Sequence, residues 1–462
     1  MGNCKFLRQK KQVKINGEWV DTKSYRYFSY CELQKPGITI KNGPPRGEAK
    51  IFFNGDEKVQ TLYLNGTDRH IDIENGNILN RIVIDGINPS CEVEVNGCDV
   101  TAFDAMSGMG KLNFSCSRLV NNNLRYNFDK RNVNSISFKE CYTSDVTDMT
   151  YMFRDYSALT SLEVSCFDTS NVTSMLGMFH NCNILPSLDL SNFDTSNVTN
   201  MSDMFNMRDC DHGCVPKSKL TSLTISNFDT SNVTDMSSMF ESCYALTSLD
   251  VSHFDTSNVT DMSTMFSRCS SLTALDVSNF NTSNVIFMEF MFQDCSSLKS
   301  LDVSNFDTSN VRDIGNMFAK CSGLTSLDVS NWNTSNVTYM GQVFSGCTNL
   351  ASLDVSKWDV SKVDEMGRMF EGCEKLETLD LSKWNTFGVR HIEEMFKGCS
   401  SLESLDLSGW DMTGLVHWFD MFVGCKSLRT IYMRGCNQET IDRVKRLLDN
   451  ANILDQVTII TE

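Results

Sequence analysis

The chain has 462 residues, 41% hydrophobic and 21% charged, with a net charge of −17. That apolar content excludes a disordered chain, and the acidic balance excludes a general nucleic-acid binder, which needs clustered Lys and Arg for phosphate contacts. No run approaches the roughly 18 apolar residues of a membrane-spanning helix, so no membrane insertion is expected.

At the N-terminus, MGNCKFLRQKKQ lacks the apolar region and cleavage site of a signal peptide, and the Ser or Thr of a myristoylation site. Synthesis and folding in a cytosol are therefore expected. Residues 1–45 read as a small β-hairpin docking module, with alternating apolar and polar residues around an Asn16-Gly17 turn. Its basic cluster, Lys5, Arg8, Lys10 and Lys11, stands out on an acidic chain. It is either a solvated strand face or a dock for an acidic partner in a larger assembly. Residues 46–132 form a β-rich domain or cap, with runs such as TLYLNG, RIVIDG and CEVEVNG bounded by Gly or Asn. These runs fit hairpins of a small sandwich, or irregular strands leading into a solenoid.

Residues 133–435 repeat one sentence, LTSLDVSHFDTSNVTDMSTMFSRCSS at 246–271. The Phe of its Met-Phe pair marks eleven copies, at 153, 179, 205, 240, 266, 292, 318, 344, 370, 396 and 422. Every step is 26 residues except Phe205 to Phe240, which is 35. Such a period is the signature of a solenoid. In each copy Leu246, Leu249 and Val251 predict a short strand, and an aromatic comes next, Phe up to Phe306 and Trp from Trp332. Asp-Thr-Ser-Asn is turn chemistry. Val259, Met262, Met265 and Phe266 have the spacing of a buried helical face, with Thr260 as N-cap. The expected fold is thus an α/β repeat solenoid, leucine-rich-repeat-like, with parallel strands on one face and short helices on the other. Residues 436–462 form a helix-strand cap, with Ile441, Val444, Leu447 and Leu448 of the helix inward.

Three sets of side chains carry candidate chemistry. The cysteine ladder (Cys182, then Cys243 to Cys425 at the repeat period) reads as small buried fillers, since nucleophilic catalysis would need one distinctive Cys with a His partner. The carboxylate row Asp189, Asp250, Asp276, Asp302, Asp328, Asp354, Asp380 and Asp406 sits at the outward centre of each strand. It is an acidic solvated face, or a concave surface for a cationic protein or sugar hydroxyls, without the cage of a dedicated calcium site. The long copy adds nine residues at about 207–215, with Cys210, His212 and Cys214 open to structural zinc, a local disulfide or a plain exposed loop. No other cofactor is expected. No P-loop, dinucleotide fingerprint, HExxH or GxSxG is present, so the chain is not expected to be an enzyme.

The L-x-x-L-x-[VL] strand resembles the leucine-rich repeat. The F/W-D-T-S-N-V-T-x-M-x-x-M-F-x-x-C continuation resembles the repeats of BspA-like surface proteins, also found in mycoplasmal lipoproteins, over about two-thirds of the chain. One departure is that Phe or Trp replaces the buried Asn of the leucine-rich repeat, while a later Asn ladder (Asn171 to Asn336) is expected to bond backbone inside the corner. The resemblance implies a non-enzymatic adhesion solenoid. Both terminal segments resemble modules on structural proteins of crAss-like gut bacteriophages. This second resemblance implies a tail or capsid decoration at the virion surface, docked on other virion proteins by its N-terminal module and binding a host protein or glycan by its solenoid. A cytoplasmic or exported bacterial interaction scaffold is the alternative.

Overall fold

The computed structural model describes residues 133–208 and 218–462, together with the backbone of strands between Leu7 and Leu119. The chain divides into two units, Met1–Asp229 and Thr230–Glu462.

In the first unit, Leu7–Ile15 and Glu18–Phe28 pair antiparallel with Ile15 opposite Glu18, as the alternation around Asn-Gly predicts. Beyond them most strands pair in parallel. Gln60–Asn65, Arg81–Asp85 and Phe103–Ala105 form one parallel stack. Ile78–Leu79, Asp99–Val100 and Arg118–Leu119 form a second, and Cys91–Asn96, Met109–Ser115 and Ser135–Lys139 a third. Successive turns of chain thus place one strand in each of three stacks, which a sandwich of hairpins does not do. Irregular coils lead into the regular ones, where Ser135–Lys139 pairs with Ser161–Glu163 and Ser187–Asp189 with Ser222–Thr224.

The second unit shows why the 26-residue sentence coils. Leu246, Leu249, Val251, Phe254, Val259, Met262, Met265, Phe266 and Cys269 are all buried, and their counterparts stack coil upon coil. Equivalent Phe rings, such as Phe266 and Phe292, lie parallel with centroids 5.7 Å apart. One copy alone would leave this apolar surface in water, so stacking supplies the driving force.

One expected element is absent. The Met-x-x-Met-Phe segment forms tight turns rather than a helix. The N–H groups of Thr264, Phe266 and Arg268 donate to the next coil, at Glu289, Met291 and Gln293 carbonyls (2.9, 2.9 and 2.6 Å). Those of Met265, Ser267 and Cys269 donate three residues back (3.3, 2.9 and 3.1 Å). An α-helix would claim all six donors for itself and leave the neighbouring coil unpaired. Thr264 and Arg268 accommodate the turns with φ of 56° and 62°. Thr260 is therefore no N-cap; its N–H and hydroxyl both reach the Thr234 carbonyl (2.9 and 3.1 Å). Among the described residues the α-helix is α1, Gln438–Asn450, capped by Asn437 and burying Ile441, Val444, Leu447 and Leu448. After it, Thr458–Ile460 pairs in parallel with Thr430–Tyr432 and covers that sheet edge.

Coil-to-coil pairing differs between two sides of this unit. A row of parallel bridges runs unbroken through Asp235, Asp261, Phe287, Asp313, Tyr339, Glu365, His391 and His417. On the Leu-x-Val side, Thr378–Asp380, Ser404–Asp406 and Thr430–Tyr432 form a parallel sheet. In the coils before them, the equivalent segments carry no ladder among the described residues; contacts such as Thr273 N–H to Thr247 O stretch to 3.4 Å. Coil-to-coil hydrogen bonding is thus continuous along the bridge row and sparse along these strand segments.

Candidate functional site

The thiols are sealed in the core. Cys269, Cys295, Cys321, Cys347, Cys373, Cys399 and Cys425 are buried and free, and each S–H points at the carbonyl of the Phe 29 residues earlier, at 3.0–3.2 Å. Burial drives them far from the thiolate, with Cys347 and Cys425 pushed up to about 12. Reactive thiolate chemistry has no access here.

The Asp row has a structural task. In each coil that carries it, the Asp Oδ1 accepts the N–H of the Ser two residues on: Ser252 to Asp250 at 3.1 Å, Ser304 to Asp302 at 3.1 Å and Ser356 to Asp354 at 3.0 Å. In most coils the Ser hydroxyl donates as well, at 2.6–2.7 Å. These bonds, the hydroxyl first, hold the carboxyls of Asp250, Asp276, Asp302, Asp328 and Asp354 below the usual range. For Asp189 the Ser191 N–H is the larger cause. Asp380 and Asp406 accept the N–H of Ser382 and Ser408 at 3.0 and 2.9 Å. Each Asp thus closes the turn that ends its strand. Asp302, Asp328 and Asp354 line a shallow groove of about 590 Å³ with Ser300, Ser326, Ser352 and Thr378.

The same device recurs at the other corners. Asp255 accepts from Ser257, and Asp261 from Ser263, both at 2.9 Å. Buried threonines between them join coil to coil: Thr256 Oγ1 donates to Asn281 O at 3.0 Å and Thr308 to Asn333 O at 3.0 Å. The Asn ladder does bond backbone, but at the exposed rim: Asn258 Nδ2 donates to Ser231 O and Asn284 to Ser257 O, each at 2.7 Å.

The bridge row is what sequence reasoning missed. In the seven coils from Leu246, the strand Asp and its Ser never change. The bridge position reads Asp261, Phe287, Asp313, Tyr339, Glu365, His391, His417, and the position two residues on reads Ser263, Glu289, Gly315, Gly341, Gly367, Glu393, Phe419. Divergence between copies, rather than recurrence, was the signal to follow. Phe287, Tyr339 and Phe419 expose 40%, 37% and 50% of their surface. A Cβ on Gly315 would stand 2.5 Å from the Tyr339 ring, and one on Gly367 would stand 2.8 Å from both the Glu365 and Glu393 carboxylates. Large side chains therefore lie across glycine positions. The His391 and His417 rings stack at 4.9 Å, with His391 Nδ1 3.8 Å from Glu365 Oε2. Glu289 Oε2 and Glu393 Oε2 are shielded from solvent and meet no donor. Burial pushes the Glu289 carboxyl up to about 7 and raises those of Asp313 and Glu365.

The remaining expected sites lie elsewhere. Cys210, His212 and Cys214, and Lys5, fall outside the described residues. Arg8, Lys10 and Lys11 lie on the Leu7–Ile15 strand, with Arg8 opposite Tyr27 and Lys10 opposite Tyr25. Among the described residues, no three of His, Cys, Asp and Glu converge as metal ligands, and no helix is long and apolar enough to cross a membrane.

The family model described as "Mycoplasma protein of unknown function, DUF285" matches residues 122–212, 208–327 and 316–434. No curated protein matches the chain. Among solved structures it is similar to a leucine-rich repeat protein from Bacteroides ovatus, at 15% identity and a TM-score of 0.38, over 90% of this chain and 99% of that one.

Proposed function

The chain belongs to the DUF285 repeat family, and from that premise we propose that it is a non-enzymatic protein-interaction scaffold held on a larger assembly by its N-terminal segment. The observation that carries this reading is the division of labour within each coil. The ladder thiols, methionines and repeat-position aromatics are consumed by stacking. What faces water is a set of mainly polar rows at fixed spacing, with a few exposed rings such as Phe287 and Tyr339, and one row lining a groove. Nothing in those rows pairs a nucleophile with a base; they offer hydrogen bonds, charge and flat rings. A stack whose positions repeat from coil to coil can contact an extended partner many times, so affinity comes from number rather than from one deep pocket.

A virion surface is the assembly that the terminal segments point to, and the basic cluster Arg8, Lys10 and Lys11 is the proposed dock. The test is co-sedimentation of the full chain with phage particles or cell envelopes from the producing culture. Changing Arg8, Lys10 and Lys11 to Glu in the full chain is expected to abolish co-sedimentation while leaving the circular dichroism spectrum unchanged. Particles that retain the charge-reversed chain would refute the dock, and a wild-type chain that stays in the supernatant would refute display on an assembly.

A further inference from the structure

We propose that the bridge row of the Thr230–Glu462 unit is the recognition surface, and that it takes the Arg or Lys side chains of an extended segment of a partner protein. This rests on the scaffold reading above and names where and what the scaffold binds.

Four observations converge. The first is freedom from the scaffold. The unchanging outward Asp residues are explained by the turns they close. On the bridge row Asp261, Asp313 and Glu365 close turns in the same way, but Phe287, Tyr339, His391 and His417 stand at the same position without a carboxylate, so the turn does not dictate the residue there. Positions that the fold leaves free are where recognition can be written. The second is charge. The two adjacent rows carry Asp261, Glu289, Asp313, Glu365 and Glu393, and no Lys or Arg. The third is unmet hydrogen bonding. Glu289 and Glu393, four coils apart, each keep one carboxylate oxygen without a donor, and a buried acceptor left in that state is costly. A guanidinium or ammonium reaching in from a partner supplies the donor and the opposite charge together. The fourth is the aromatic frame. The Tyr339 ring and Asp313 Oδ1 converge on the Gly315 position, 2.5 and 3.1 Å from where a Cβ would stand, and exposed Phe287 is two residues from Glu289, so a cation drawn to these carboxylates has ring faces within reach. Coils pinned about 4.8 Å apart along this row set the pitch at which an extended segment would meet successive positions.

The probe is a short fluorescent peptide in which Arg alternates with Thr, titrated with the full chain and followed by anisotropy, with a Glu-for-Arg peptide as reference. Removing two carboxylates from the bridge row, in the double variant E289Q and E393Q, is expected to weaken binding about tenfold. Phe287→Ala should weaken it severalfold. Removing two from the strand row, in D302N and D328N, takes away the same charge and keeps the turn acceptors, and should leave binding within about twofold. Equal losses from the two double variants, or a larger loss from the strand row, would overturn the bridge-row assignment and leave the scaffold reading standing. A peptide that never binds the wild-type chain, or binds no better than its Glu counterpart, would overturn the inference outright. So would self-association of the full chain through its own basic N-terminal residues that the peptide competes away, because the occupant would then be a second copy. Failure of the co-sedimentation experiment with success of this one would separate display from recognition.

Discussion

Single side chains in this molecule are placed by hydrogen bonds to the next coil as much as by burial. Thr256 is the clearest case: a fully buried hydroxyl that donates to Asn281 O and accepts the Asn281 N–H at 2.8 Å. Thr256→Val keeps the shape and strands a carbonyl and an N–H, so it should cost about 1–3 kcal/mol in chemical denaturation, while Thr256→Ser should cost less. An unchanged unfolding midpoint for the valine variant would show that water satisfies those groups. Trp in place of Phe follows the same logic. Trp332, Trp358, Trp384 and Trp410 each donate Nε1–H to a strand carbonyl of the preceding coil, at 3.0–3.1 Å. For Trp332, Trp358 and Trp384 that carbonyl, of Val303, Val329 or Val355, lies in a segment without a strand ladder. Glu289 gives a pH signature. Its carboxyl is raised in the fold, so its neutral form is preferred there. The stability it contributes is full below the ordinary Glu value of 4.5 and is lost as pH rises through about 7. Glu289→Gln should abolish that loss, making the variant more stable than wild type at pH about 8 by roughly 1–2 kcal/mol, after allowing for half exposure, and no more stable at pH about 4. Urea midpoints that move in parallel for both proteins across this range would assign the raised value elsewhere.

At the scale of the element, the turn-built side of the coil explains where sequence reasoning stopped. The buried positions were legible because Leu, Val, Met, Phe and Cys recur at the repeat period and have to stack. The backbone path between them was not. Val259, Met262, Met265 and Phe266 have helical spacing, but the same spacing arises when alternate N–H groups turn outward to the next coil. The left-handed residues gave little warning either, being Thr264, Phe290, Asn316 and Gln342 rather than glycine. The second left-handed position did carry a clue, since it is Gly346, Gly372, Gly398 and Gly424 in later coils and Arg268 or Lys320 in earlier ones. Arg268→Gly and Lys320→Gly should therefore stabilise the chain by about 1 kcal/mol each, the left-handed cost of a side chain less the added chain entropy of Gly. Thermal unfolding that shows destabilisation would mean that those side chains contribute more through packing than their backbone costs.

For the molecule as a whole, nearly all pairing beyond the tight turns joins residues about one repeat apart, so each coil depends on its neighbours and on little else. That much is dictated by the 26-residue period. Which side carries the coil-to-coil pairing is not, because the repeat leaves open whether the strand segments or the bridge positions supply the hydrogen bonds. The parallel stacks of the N-terminal region were equally hidden, since a strand bounded by Gly and Asn looks the same whether its partner is adjacent or one coil away. The recognition surface was readable in principle, but only by subtracting everything the stack requires and asking what still varies.

Tyr339 lying across the glycine positions has one more consequence. A chain of near-copies risks slippage during folding, because a coil docked one repeat out of place buries almost the same ladder of Leu, Met, Phe and Cys. Gly315 on one side of Tyr339 and the change from Phe306 to Trp332 are among the few features that tell one coil from the next. Shifted by a repeat, the Tyr339 ring would meet a side chain where the correct stack leaves none. The irregularities on the bridge row thus act as keys that number the coils, discriminating the correctly threaded stack from its misthreaded neighbours.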